Sequence, residues 1–130
     1  MNQQKRDYFD KQVEWVLNRL PEKINRLLDE IPINVEDRPS RQLMREMQVE
    51  YDDELCGVFT GVAIDEVHEM NPSVPNTITL FRKGIFELAF DDEDRFSKEE
   101  LRRQIRITIL HELAHYHGID EDELEKLGYG

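Results

Sequence analysis

The run ILHELAHYHGIDEDELEKLGYG, residues 109 to 130, sets His111, Glu112 and His115 in the spacing H-E-x-x-H. On a helix each residue advances about 100°, so two imidazoles four positions apart point the same way, about one turn from each other. Such a pair can share one metal ion, and zinc takes imidazole nitrogen at roughly 2.0–2.1 Å. Glu112 is rotated by about 100° from His111, so it flanks the metal without having to bind it. There it can take a proton from a zinc-bound water, whose pKa the metal lowers to about 7. Gly118 lets the chain turn sharply after the second histidine. The residues beyond it, IDEDE, carry four carboxylates that can fold back toward the metal. The competing reading is an amphipathic helix that happens to expose two histidines.

The element that must hold these side chains is well marked. Ser97 and Glu100 form an S-x-x-E capping box, which predicts a helix start. Nothing breaks a helix from there to His117, and Gly118 is placed to end it. Leu101, Ile105, Ile109, Leu113 and Tyr116 fall on one side of this helix and Ile107, Leu110 and Ala114 on another. A segment apolar over most of its circumference is a buried helix, and a metal site needs a rigid element of that kind.

Upstream, Phe9, Val13, Val16, Leu17 and Leu20 recur at helical spacing over about residues 5 to 20. Pro21 interrupts that stripe and suits the first turn of a second helix, with Ile24, Leu27, Leu28 and Ile31 inward. IPINVEDRP alternates apolar and polar residues and reads as a short strand. SRQLMREMQVEYDDEL reads equally as a short helix or an irregular loop. CGVFTGVAI is extended, and its glycines imply a bulge or a close backbone approach. DEVHEMNPSVPN forms turns. TITLFRKG returns to strand, with Ile78 and Leu80 on one face and Thr77, Thr79 and Phe81 on the other. IFELAF reads as a short helix and DDEDRFS as an acidic loop. The order predicts an α+β fold, a small sheet with a helix across it.

The chain has 130 residues, suited to a single domain over 1–130. Charged residues make up 35% and hydrophobic ones 38%, enough for one small core under a highly charged surface. The net charge of −12 disfavours nucleic acid and anionic membrane as partners, since both demand a positive face. Arg102, Arg103 and Arg106 lie beside Glu99 and Glu100 and read as solvated helix flank. The single cysteine, Cys56, permits no internal disulfide and favours a reducing compartment. MNQQKRDYFDKQVEWVLNRL has no uninterrupted apolar core, so neither a signal peptide nor a membrane span is expected there. A cytoplasmic location follows from these readings.

The sequence resembles the zincins, metallopeptidases whose active-site helix carries H-E-x-x-H. It is most similar to the small, mostly bacterial, single-domain proteins called minimal zincins. The resemblance runs through the leading amphipathic helix, INVEDRP, LCGVFTGVAI, ITLFRKGI and the closing ILHELAHYHGIDEDELEKLGYG. It implies a minimal zincin-like fold: a small mixed β-sheet, a backing N-terminal helix and the active-site helix. It also implies zinc as cofactor, with His111 and His115 as ligands and Glu112 as general base. In metzincins the residue three past the glycine is a further ligand, usually histidine and sometimes aspartate. That position here is Glu121, with Asp120 and Asp122 as its rivals. Metzincins also have a downstream methionine turn, whereas no methionine follows His115 in this sequence.

Other candidates read as background. His117, two residues past His115, does not converge with it. His68 sits in a proline-rich turn, Cys56 reads as buried apolar filler, and Tyr129 as packing near the end of the sequence. The acidic stretch at 91–95 lacks the glycine and spacing of a calcium loop. The leading expectation is zinc-dependent hydrolysis of a peptide or protein substrate. That substrate is expected to add as a strand at a sheet edge, with NTITLFR as the candidate edge. The alternative is a catalytically weak or inactive zinc-stabilised protein-binding module. A metal-dependent nuclease suits neither the acidic surface nor the glutamate inside the motif.

Overall fold

A computed structural model describes residues 1–61, 76–117 and 122. Helix α1 (Gln3–Leu17) is followed by α2 (Glu22–Leu28), strand β1 (Ile33–Glu36), α3 (Arg41–Glu46) and a 3₁₀ turn at Asp52–Glu54. Strands β2 (Gly57–Thr60) and β3 (Thr77–Phe81), then α4 (Arg82–Glu87) and α5 (Lys98–His117), complete the order. The architecture is α+β, consistent with a zincin-like fold.

Local chemistry sets the helix starts. The Asn2 side chain accepts the Lys5 N–H at 2.8 Å and opens α1, satisfying one of the first-turn donors that a helix leaves unpaired. Pro21 stands at the N-cap of α2, where its missing N–H costs nothing. Ser40 accepts the Leu43 N–H at 3.1 Å and starts α3, so the segment that the sequence left ambiguous is a short helix followed by a 3₁₀ turn. At α5 the Ser97 hydroxyl accepts the Glu100 N–H at 3.1 Å. The return half of the expected capping box is pre-empted: the Ser97 N–H donates to Ala89 O at 2.9 Å. The Glu100 carboxylate turns instead to Gln104 and Arg103.

The three strands form one sheet in the order β1-β3-β2. β1 runs parallel to β3, with Ile33 opposite Ile78 and Val35 opposite Leu80. β2 runs antiparallel to β3, with Val58 opposite Thr79 and Phe59 opposite Ile78. This corrects the expected edge. NTITLFR contains the central strand, and among the described residues β2 is the edge strand on that side. The residue types of β3 alternate, but its burial does not, because Ile78, Thr79, Leu80 and Phe81 are all buried. A strand covered on both faces has no solvent side to mark.

One apolar cluster joins these layers. Phe9, Val13 and Val16 from α1 and Ile78 and Leu80 from β3 meet Leu101, Ile105, Ile109 and Leu113 from α5. Ile105 and Ile109 are fully buried, and burial of each contributes roughly 1.5–3 kcal/mol. The expected inward faces of α1 and α5 are thus observed, except that Leu17 and Ile107 are only half-buried. Arg102 departs from its reading as solvated flank. Its guanidinium lies over the Trp15 ring at 3.8 Å from the centroid, and its Nε donates to buried Gln12 Oε1 at 2.7 Å.

Two contacts fix the relation of the sheet to the helices. The first is the close approach that the glycines of the second strand implied. A Cβ on Gly57 would stand 2.6 Å from Thr108 Cγ2 on α5 and 3.0 Å from Thr79 O, so only glycine lets α5 lie this near to β2. The second is an ion-pair cluster. Arg6 on α1 meets Asp37 at 2.7 Å, and Arg82 bridges Asp37 and Asp10, each at 2.9 Å. The hydrogen bond from Arg6 is the chief reason that the Asp37 carboxyl is held down to about 2.

Gly57→Ala should therefore lower stability by about 1–3 kcal/mol, read as a fall in the denaturant midpoint; an unchanged midpoint would show that β2 and α5 are not in close register. Asp37 has a depressed folded pKa, so its contribution is present above its ordinary pKa near 3.8 and is lost as pH falls through about 2. Because its side chain is 30% exposed, that contribution is roughly 1–2 kcal/mol. Acid unfolding of the Asp37→Asn variant should show this part of the slope removed.

Candidate metal centre

His111, Glu112 and His115 lie in the last two turns of α5. Each offers a ligand atom, and these atoms lie within 4.8 Å of one another. The two imidazole rings are 4.5 Å apart between centroids, at 64° between planes. They share one side of the helix, as the spacing of four requires. The His115 side chain is 55% exposed and His111 is half-buried, so the pair opens to solvent rather than being packed shut.

Glu112 differs from both. It is buried, at 6% exposure, and its Oε2 is a buried oxygen that accepts no hydrogen bond among the described residues. His115 Nδ1 stands 3.5 Å from it, long for a hydrogen bond. Burial pushes the carboxyl up to about 7, and the backbone N–H of Phe59 on β2 acts weakly in the opposite sense. The sheet thus reaches the site through main chain. The Phe59 ring also packs on Tyr116, one residue past His115, at 5.4 Å between centroids. These two contacts hold the edge strand against the turn that carries the histidines.

The donor chemistry fits a divalent ion such as zinc: two imidazole nitrogens on a rigid buried helix, with a carboxylate oxygen beside them that lacks a partner. Donors sharing one zinc at roughly 2.0–2.1 Å stand closer together than 4.8 Å, a gap that side-chain rotation can close. His111 and His115 are the residues that could hold the ion. The expected third ligand, Glu121, lies outside the described residues, as do its rival Asp120 and the helix-ending Gly118. Asp122 is described and exposed, and it is not part of the three-residue group. His68 and Tyr129 lie outside the described residues too. Cys56 is half-buried against the core, and burial raises its thiol pKa, in keeping with a packing role.

The H-E-x-x-H spacing marks His111, Glu112 and His115 in the sequence, whereas Phe59 contributes a backbone N–H, which leaves no residue-type signature. The glycine at 57, which allows the approach, was its only trace in the sequence. The raised Glu112 carboxyl also makes a prediction for the metal-free protein. A carboxyl with a raised folded pKa stabilises the fold fully below its ordinary value near 4.5, and that stability is lost as pH rises through about 7. Over this window metal-free wild type should lose roughly 1–3 kcal/mol that metal-free Glu112→Gln retains, read by urea unfolding at several pH values. Parallel pH profiles would show Glu112 to be solvated.

Among the described residues, no helix is long and apolar enough to cross a membrane. No curated protein matches the chain. A family model described as zincin-like metallopeptidase matches residues 28–130. That span takes in β1, β2, β3 and α5 together with the H-E-x-x-H turns, and on it the chain belongs to the zincin-like metallopeptidase family.

Proposed function

We propose that this chain hydrolyses peptide bonds with zinc held by His111 and His115 and with Glu112 as general base. One observation carries the reading: a buried carboxylate oxygen without a hydrogen-bond partner, set beside two imidazoles on one rigid helix. A structural carboxylate would normally be satisfied at that depth, because an unpaired buried polar group is costly. A base waiting for a water proton is not. Membership of the metallopeptidase family supports the same reaction class.

Zinc, when bound, supplies a Lewis acid that polarises a carbonyl and makes water easier to deprotonate. The chain's own groups do the rest. His111 and His115 orient the ion from a helix whose inward residues are locked in the core. Glu112 Oε2 takes the proton of the attacking water and can return it to the leaving amine. Burial raises its carboxyl pKa in the metal-free chain, and a bound dication would act in the opposite sense. We place the substrate along β2. Val58 and Thr60 face β3 as hydrogen-bonded pairs if the Phe59 N–H turns toward Glu112, and the antiparallel alternation then leaves the Gly57 main chain and the Phe59 carbonyl outward. An extended peptide can pair with such an edge. Glu121 as the third zinc ligand, and a cytoplasmic setting in keeping with a lone free cysteine, complete the proposal.

Glu112→Gln should keep zinc, measured as metal per chain, and lower peptide hydrolysis by at least about a hundredfold. His115→Ala should lose the metal. A metal-free preparation that cleaves peptides as fast as the zinc-loaded protein would contradict the assignment.

A further inference from the structure

We propose that the groove between α1 and α5 is a docking site for an acidic peptide segment, separate from the α5 histidines. Trp15 and Arg19 form one wall, and Glu99, Arg102, Arg103 and Arg106 form the other. The cavity is about 310 Å³, at the small end of ligand pockets, and takes one or two side chains. Four arginines thus meet one glutamate in a chain whose net charge is −12, so the local sign is the reverse of the global one.

The arginines are positioned for an anion rather than merely solvated. The guanidinium carbons of Arg19 and Arg102 each stand 3.8 Å from the centroid of the Trp15 ring. Stacking fixes the plane of a guanidinium and leaves its N–H edge free, so less entropy is lost when a carboxylate binds. Arg19 uses one N–H on Trp15 O at 3.1 Å and Arg102 uses Nε on Gln12 at 2.7 Å. Neither has a carboxylate partner among the described ion pairs, nor has Arg106; Arg103 is paired with Glu100 at 2.9 Å. Arg102 and Arg106 are like charges four apart on one helix, an arrangement that costs stability and that an incoming anion relieves. Bidentate carboxylate binding is the chemistry that such forks favour.

The occupant is a short peptide rather than a long polyanion. The groove floor includes Val16, which rewards an apolar side chain between the acids. A nucleic acid strand extending beyond the groove would run over an acidic surface. The site also faces away from the metal centre. Arg106 precedes His111 by five residues and His115 by nine, rotations of about 140° and 180° around the helix. A docked segment therefore leaves the histidines accessible.

Trp15 is the only tryptophan in the chain, so intrinsic fluorescence reports on this groove alone. The test titrates the full chain with a short acetylated and amidated peptide alternating glutamate and leucine. The expected result is a saturable change in Trp15 emission that weakens with added salt. Affinity should fall about tenfold or more in Arg103→Glu/Arg106→Glu, with thermal midpoint and zinc binding unchanged. Should the double variant unfold, Arg106→Gln serves in its place, with an expected loss of several-fold. The proposal is overturned by no saturable change up to about millimolar peptide, by equal affinity in the arginine variants, or by an equal response to a glutamine-leucine peptide. An equal response to a single-stranded oligonucleotide of matched charge overturns it too.

Discussion

A methyl group of Thr108 occupies the space where Gly57 would carry a side chain, and the site depends on that closeness. It brings β2 onto α5 near enough for the Phe59 main chain to reach Glu112 and for the Phe59 ring to cover Tyr116. Burial of Glu112 follows from the same contact, and with it the raised carboxyl pKa. A side chain at 57 would meet the Thr108 methyl and the Thr79 carbonyl, so strand and helix would have to shift apart there. In the metal-free chain burial raises this carboxyl, and the Phe59 backbone contact acts in the opposite sense.

The helix supplies the other half of the constraint. α5 is held on its inner face by Leu101, Ile105, Ile109 and Leu113, all buried, while α1 backs it through Phe9, Val13 and Val16. Fixed in this way, it presents His111 and His115 from one side at a spacing that side-chain rotation alone can adjust. The ion-pair cluster of Arg6, Asp10, Asp37 and Arg82 ties α1, the end of β1 and the start of α4 together. Among the described residues, one helix, its backing helix and three strands position the group of His111, Glu112 and His115.

What could be read from the sequence was whatever has a period or a spacing. The apolar stripes of α1 and α5 and the H-E-x-x-H motif all rest on helical repetition, and the structure places those residues as the repetition requires. β3 was recognised as a strand, but its place in the sheet was not, because NTITLFR holds no mark of which neighbours it pairs with. Strand order depends on long-range packing, and only the structure shows β3 between β1 and β2. Arg102 differs from its sequence expectation for a related reason. Its partners, Trp15 and Gln12, are distant in sequence, and a charged residue on a helix flank reads as solvated until its neighbours are known. The capping box was half right: Ser97 caps α5, but Ala89 O had already taken the N–H that Glu100 would have accepted.

In the proposed centre one divalent ion sits between two imidazoles on α5, beside a buried carboxylate. X-ray absorption at the zinc edge of zinc-loaded protein tests it most directly. One zinc per chain is expected, its inner shell holding two imidazole nitrogens at about 2.0–2.1 Å with the remaining ligands oxygen. A zinc shell without imidazole scattering, or one containing the Cys56 sulfur at about 2.3 Å, would contradict it.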